Sequence, residues 1–272
     1  MSDFEPPFED LILEWPDGTN GTLEVDKLGE GEPVTTLTWG ELAETHFYDP
    51  RQPRDEGGRW TDGGGSGHAK IGGSKVKVKG TFSPSAATKA RLKVTPDVHE
   101  LDPSEAGVFH KAMLDLKQGN KFASSVYVYD KEEYAQMRTF MTDDGKTGFA
   151  IKGDEVVSVF AARDTEYKGA TASHLATAVE QGARRLDAFE TVLPKIYAEA
   201  GFEPVSRVKW NDDYAPDGWD HELYGKFNGG RPDVVAMVYN PAKVGSRYEG
   251  GGDYAADYDE MMSVAQSRAA GK

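Results

Sequence analysis

The run from residue 155 to residue 202, EVVSVFAARDTEYKGATASHLATAVEQGARRLDAFETVLPKIYAEAGF, constrains the fold more than any other part of the chain. It reads strand, glycine turn, helix, strand, short helix without a break. Residues 156–162 are apolar on both faces and rich in β-branched side chains, the pattern of a strand buried on both sides in the middle of a sheet. A turn over 163–169 leads into a helix on which Leu175, Val179, Ala183 and Leu186 recur at helical spacing. Thr171 or Ser173 is expected to cap its start, and Arg184 and Arg185 fall in its last turn, where the dipole favours cations. A helix that begins directly after a strand and a glycine presents open backbone N–H groups to an anion. Residues 186–189 predict a second strand, and 193–200 a short helix with Pro194 near its start and Gly201 at its C′ position.

The flanking elements extend one sheet. From Lys75, the alternating KVKVKG reads as a half-exposed strand whose lysines suit a solvated edge. Asp102-Pro103-Ser104-Glu105 opens a helix running through Leu116, with Phe109, Met113 and Leu116 on one face. Residues 125–129 predict a strand, 131–140 a helix or irregular stretch, and 147–151 with 156–162 a hairpin about Gly153-Asp154. Beyond Phe202, 205–210 predicts a half-exposed strand and 233–239 a buried one. The sum is an α/β (α+β) domain over 75–244, with a mixed, mostly antiparallel central sheet flanked by helices.

This order of elements resembles the GNAT family of N-acetyltransferases over about residues 103–241. In that family a glycine-bearing loop after the fourth strand binds the coenzyme A pyrophosphate. A Tyr-x-x-x-Gly-Phe ending of the later helix supplies the tyrosine that protonates the departing thiolate. Here Tyr197-Ala198-Glu199-Ala200-Gly201-Phe202 matches the ending. Glu166-Tyr167-Lys168-Gly169-Ala170-Thr171 stands where the loop runs roughly Gln/Arg-x-x-Gly-x-Gly/Ala, with an acid in its first position. The resemblance implies acetyl-CoA as cofactor. Backbone N–H groups around Ala161, Ala162 and Arg163 would meet the thioester and pantetheine arm. Lys168, Gly169, Ala170, Thr171, Ala172 and Ser173 would hold the pyrophosphate. Tyr197, with an unperturbed pKa of about 10, is protonated at neutral pH and able to act as the acid. The base is drawn from Asp164, Glu166, Asp212 and His174, none of which spacing singles out. The stretch 210–231, WNDDYAPDGWDHELYGKFNGGR, is longer than a hairpin loop requires. In the family this connection helps form the acceptor side of the cleft, so Trp210, Asp212, Asp213, Tyr214 and Trp219, with Asp217 and Asp220, are candidates to hold a cationic amine.

Outside this domain the charge is uneven. The net charge is −15, yet residues 1–48 hold twelve acids and one lysine while 51–94 hold ten bases and three acids. The acidic stretch is a separate module with short strands expected over 11–15, 22–25 and 34–39. Residues 49–74, dense in glycine and proline, read as a linker. Within it, QPRDEGGRW over 52–60 resembles a QPRD-x-x-GRW signature that recurs between modules of tailed-bacteriophage proteins. That resemblance implies phage origin and a place in the host cytoplasm or the virion. Residues 245–272 read as a flexible tail with a short amphipathic segment over 261–265.

Several classes fall away. There is no cysteine, and no apolar run approaches the ~20 residues needed to span a bilayer. The six histidines show no paired ligand spacing, so no metal site is expected. The acidic balance disfavours nucleic acid. Two functions remain: an acetyl-CoA-dependent N-acetyltransferase acting on an amine of a protein or small molecule, and a virion-associated structural protein that binds capsid or tail partners on the same scaffold.

Overall fold

A computed structural model describes residues 67–271. The acidic module, its expected strands and the QPRDEGGRW signature lie outside the described residues. The chain forms a ten-stranded, mostly antiparallel sheet with six helices among the described residues. The strands are β1 (Gly67–Ile71), β2 (Ser74–Phe82), β3 (Val98–Leu101), β4 (Arg138–Met141), β5 (Thr147–Lys152), β6 (Glu155–Ala161), β7 (Arg185–Phe189), β8 (Phe202–Val208), β9 (Val234–Tyr239) and β10 (Asp253–Tyr254). The helices are α1 (Ala86–Arg91), α2 (Ala106–Gly119), α3 (Lys131–Tyr134), α4 (Thr171–Glu180), α5 (Leu193–Glu199) and α6 (Tyr258–Ala270). Strand order is β1-β2-β3-β4-β5-β6-β7-β9-β8-β10, with parallel pairing at β6/β7 and β8/β10.

Alternation along the strands divides the core between the two faces. One face carries Phe140, Phe149, Val156, Leu186, Phe202 and Met237 against α4 and α5. On the other, Met141, Ala150, Val157 and Phe160 pack with Phe109 and Met113 of α2 and Tyr134 of α3. Ala236 and Val238 take Met261, Ala265 and Ala269 of α6. The second face is thus covered in two separate patches. The central cleft opens between them.

Several expectations are corrected. The hairpin of β1 and β2 begins at Gly67, inside the stretch read as linker, because Ala69 pairs with Val76 and Ile71 is buried. Residues 125–129 make no strand: Ser125 ends a 3-10 turn, and Val126 and Val128 pack onto the α2 core instead. Residues 131–140 split into α3, closed by an Asp130/Glu133 capping box, and β4, whose four residues are too few to show a period. The tail is not loose: Met261, Ala265 and Ala269, at helical spacing, are buried on β8 and β9, and β10 adds to the β8 edge. Neither Thr171 nor Ser173 caps α4, since Ala170 occupies the N-cap position and no side chain bonds there. Arg184 falls beyond the helix, but its guanidinium donates to the Val179 and Ala183 carbonyls.

Candidate functional site

The site begins where two parallel strands part. β6 and β7 share one registered pair, Glu155 with Arg185, and no ladder continues beyond it. The junction is clamped. The Asp154 carbonyl accepts from the backbone N–H groups of both Arg184 and Arg185, at 2.7 and 3.2 Å. The Arg185 guanidinium reaches Glu155 at 2.6 Å and Asp154 at 2.9 Å. β6 then bends at Ser158, a non-glycine residue with φ of 50°, beside a register irregularity opposite Gly148–Ala150. Such a bulge bends the strand and increases its local twist. The edge of β6 facing β7 is left without a strand partner, and an open cleft of about 1650 Å³ occupies the gap.

The cleft reaches both faces of the sheet. Toward α4 and α5 it is lined by Arg163, Lys168, Gly169, Thr171, Ile196 and Tyr197; toward the opposite face by Tyr127, Tyr129, Asp187, Trp210, Tyr214, Tyr254 and Tyr258. On the first side, the backbone N–H groups of Lys168, Gly169, Thr171, Ala172 and Ser173 have no acceptor among the described residues. His174 N–H makes the first helical bond, to Ala170. Open amides at the start of a ten-residue helix, beside a lysine, form an anion-binding end. The loop before it is held by Asp144, which accepts from the Thr165 hydroxyl at 2.6 Å and the Glu166 N–H at 3.1 Å. Burial works against its charge, but hydrogen bonds from Thr142, Thr165, Lys146 and Glu166 hold the Asp144 carboxyl below its ordinary range.

Asp187 lies on the other side, in the middle of β7, lining the cleft. Burial, with the neighbouring charge of Glu155, pushes its pKa up to about 7, against the opposing hydrogen bond donated by Tyr258. Burial and the charge of Asp187 in turn hold the Tyr197 hydroxyl well above the usual phenol range. Burial, with Glu155 and Asp187, pushes Tyr129 up to about 12. A carboxyl that changes charge near neutrality and a phenol that stays protonated therefore line one cleft.

Protein-family models, curated proteins and solved structures give no match to this chain. The geometry alone carries the functional reading.

Ala161, Ala162, Arg163, Lys168, Gly169, Thr171 and Tyr197 all line the cleft, as do Trp210 and Tyr214. Ala170, Ala172 and Ser173 have buried side chains and could contribute only backbone. Asp164 and Glu166 do not line the cleft. Asp164 is ion-paired with Lys146, which lowers its pKa, and Glu166 is exposed on the outer side of the loop. Asp212 is engaged by the Trp210 indole at 2.7 Å and by Arg231 at 3.1 Å, Asp213 is exposed outside the cleft, and Trp219 stacks on Tyr224 at 3.9 Å with its indole N–H on the Gly230 carbonyl. These three support the 209–233 connection rather than the cleft lining.

His174, a candidate base by sequence, is buried and does not line the cleft. The Thr147 hydroxyl spends its one proton on the Phe160 carbonyl at 2.7 Å, so it accepts from His174 Nε2–H at 2.9 Å, while the buried Nδ1 has no hydrogen-bond partner among the described residues. Burial pulls the His174 pKa down to about 4.

Sequence reasoning missed Asp187, Tyr129, Tyr254 and Tyr258. For Asp187 a signal existed, an acid inside the apolar strand LDAF. For Tyr258 there was none, because its partner is 71 positions away in sequence.

Among the described residues no helix is long and apolar enough to cross a membrane.

Proposed function

We propose that the protein transfers an acyl group from a coenzyme A thioester to an amine. The observation that carries this reading is the parting of β6 and β7 after Glu155 and Arg185. It leaves a partnerless strand edge running toward the open amides of α4. An elongated ligand with an amide-bearing arm and a diphosphate suits that edge and that helix end.

Acetyl-CoA, when bound, supplies an acetyl group activated as a thioester. Lys168 and the amides of Gly169 and 171–173 fit its diphosphate, and the β6 edge over 159–161 fits its pantetheine arm. Asp187 accepts a proton from the attacking amine, which in its ordinary ammonium form has no lone pair to use. A carboxyl with a pKa near 7 is better matched to that task than an ordinary one of about 4. Tyr197, kept protonated by burial, is the acid on the other side of the gap. Acid and base differ in pKa because a phenol starts at about 10 and a carboxyl at about 4, and burial raises both, bringing Asp187 toward neutrality and keeping Tyr197 protonated.

Calorimetric titration with desulfo-CoA tests the reading. Micromolar binding, weakened at least tenfold by Lys168→Glu at the mouth of the α4 side, is expected. Absence of binding at millimolar ligand would sink it.

A further inference from the structure

The hairpin at one end of the sheet carries a charge pattern that the described residues leave unbalanced. Between Gly67 and Pro96 the sequence holds seven lysines and arginines and no acid, so neither strand of the hairpin neutralises the other. β1 and β2 bury Ile71, Val76 and Val78 on the α2 side of the sheet. Alternation sends His68, Lys70, Lys75 and Lys77 to the opposite face, where all four are exposed. The register sets Lys70 directly across from Lys75, and His68 across from Lys77. Like charges placed so on one face repel. Lys77 is answered by Asp102 at 3.0 Å, whereas Lys70, Lys75 and Lys79 make no ion pair among the described residues. Lysines on an outermost strand also discourage pairing with a further sheet. That role needs charge along β1, yet Lys75, Lys77 and Lys79 all stand on β2, the second strand in.

A countercharge is present in the same chain. Residues 1–48 hold twelve acids and one lysine, and they lead through 49–66 into β1. A glycine-rich connection of that length spans about 20–25 Å root-mean-square. Gly67, where it joins the sheet, pairs with Val78, so it enters beside this face. A partner tethered in this way is present at an effective concentration on the order of millimolar. A free polyanion has no such advantage and meets a chain of net charge −15. Nor does any phenylalanine, tyrosine or tryptophan stand among these lysines to stack a nucleic-acid base.

We propose that the lysine face of the β1–β2 hairpin is a docking surface for the chain's own acidic stretch, residues 1–48, held to it by charge. The acids supply the partners that Lys70, Lys75 and Lys79 lack within the sheet. Pairs between exposed charges are individually weak and screened by salt, so docking weakens as ionic strength rises. The assignment does not depend on the acyl-transfer reading.

The chain has no cysteine, so Thr19→Cys provides a single attachment point for a nitroxide inside the acidic stretch. The test reads paramagnetic broadening of backbone amides in the full chain so labelled. At about 20 mM salt the broadening is expected to centre on β1 and β2, and at about 500 mM to fall by about threefold or more. Lys70→Glu combined with Lys75→Glu should reduce it by a similar factor at low salt. Both side chains are exposed, and unchanged amide positions in β4, β5 and β6 would show that the variant is folded. Broadening centred elsewhere, or unaltered by the two lysine reversals, would overturn the proposal. So would broadening that appears only between nitroxide-labelled and isotope-labelled copies, which would make a second molecule the occupant. Absence of broadening, with the same amides shifting on addition of a short oligodeoxythymidylate, would make nucleic acid the occupant and overturn it equally.

Discussion

Glu155 and Arg185 are at once the single backbone register that joins β6 to β7 and an ion pair 2.6 Å long. The cleft opens from this point, so the pair acts as its hinge pin. Both side chains are only 13% exposed. Burial holds the Glu155 carboxyl above its ordinary range despite the opposing charge of Arg185. Arg185→Met would strand that carboxylate among Asp154 and Asp187. A loss of about 3 kcal/mol in urea unfolding at neutral pH is expected. The loss should shrink in acid, where Glu155 takes up a proton and carries no charge to be stranded. Equal losses at neutral and acidic pH would show that packing, not charge, is what Arg185 supplies.

Gly201 is the residue of the Tyr-x-x-x-Gly-Phe ending whose role is structural. It ends α5 at φ of 97°, and a Cβ there would lie 2.8 Å from Val244 Cγ2 and 3.0 Å from Tyr239 Cε2. Phe202 follows directly and is buried edge-on to Tyr239 at 5.7 Å. Gly201→Ala should cost about 1–3 kcal/mol through the left-handed conformation and the contact together. Chemical denaturation reads this directly, and an unchanged midpoint would mean that Val244 moves aside freely.

That ending shows what a sequence can reveal here. Helix α5, its glycine stop and the buried phenylalanine follow from local rules, as do the β5–β6 hairpin about Gly153-Asp154 and the helix opened by Asp102. The cleft lining at Ala161, Lys168, Gly169 and Tyr197 was legible because it belongs to one continuous strand-turn-helix run. The opposite half was legible only at Trp210 and Tyr214, which sit in one long loop. Tyr127, Asp187 and Tyr258 come from three other segments, and no local pattern relates them to it. Asp164 and Glu166 misled for the same reason: proximity in sequence to the loop says nothing of which side of it a carboxylate occupies.

The C-terminal helix provides a direct check of how firmly that second half is built. Met261 is fully buried against Ala236 and Val238, with Ala265 and Ala269 continuing the stripe along α6. Met261→Ala should lower stability by about 3 kcal/mol. Amide exchange in β8 and β9 should rise with it, because both strands pack on this helix. A loss below about 0.5 kcal/mol would mean that α6 contributes little to the fold.

Asp187 and His174 make opposite demands on pH. Asp187 has a folded pKa of about 7 against an ordinary value of 3.8, so its contribution to stability is complete below the ordinary value and disappears as pH rises through about 7. His174 has a folded pKa of about 4 against 6.5, so its contribution is complete above 6.5 and disappears as pH falls through about 4. Across the interval between, acidification gains from one and loses from the other. Removing either should expose its partner. In Asp187→Asn, stability should fall more steeply on acidification than in the parent, and in His174→Gln it should fall less or rise. Unfolding midpoints at about pH 5 and about pH 7.5 separate these outcomes. Under the proposed acyl transfer the same carboxyl would govern activity with the reverse sign, since a base must be ionised to work. Acetyl transfer, measured as kcat/KM, should climb with pH through an apparent pKa near 7, and this limb should vanish in Asp187→Asn while desulfo-CoA affinity persists. A limb that survives the substitution would assign the base elsewhere in the cleft.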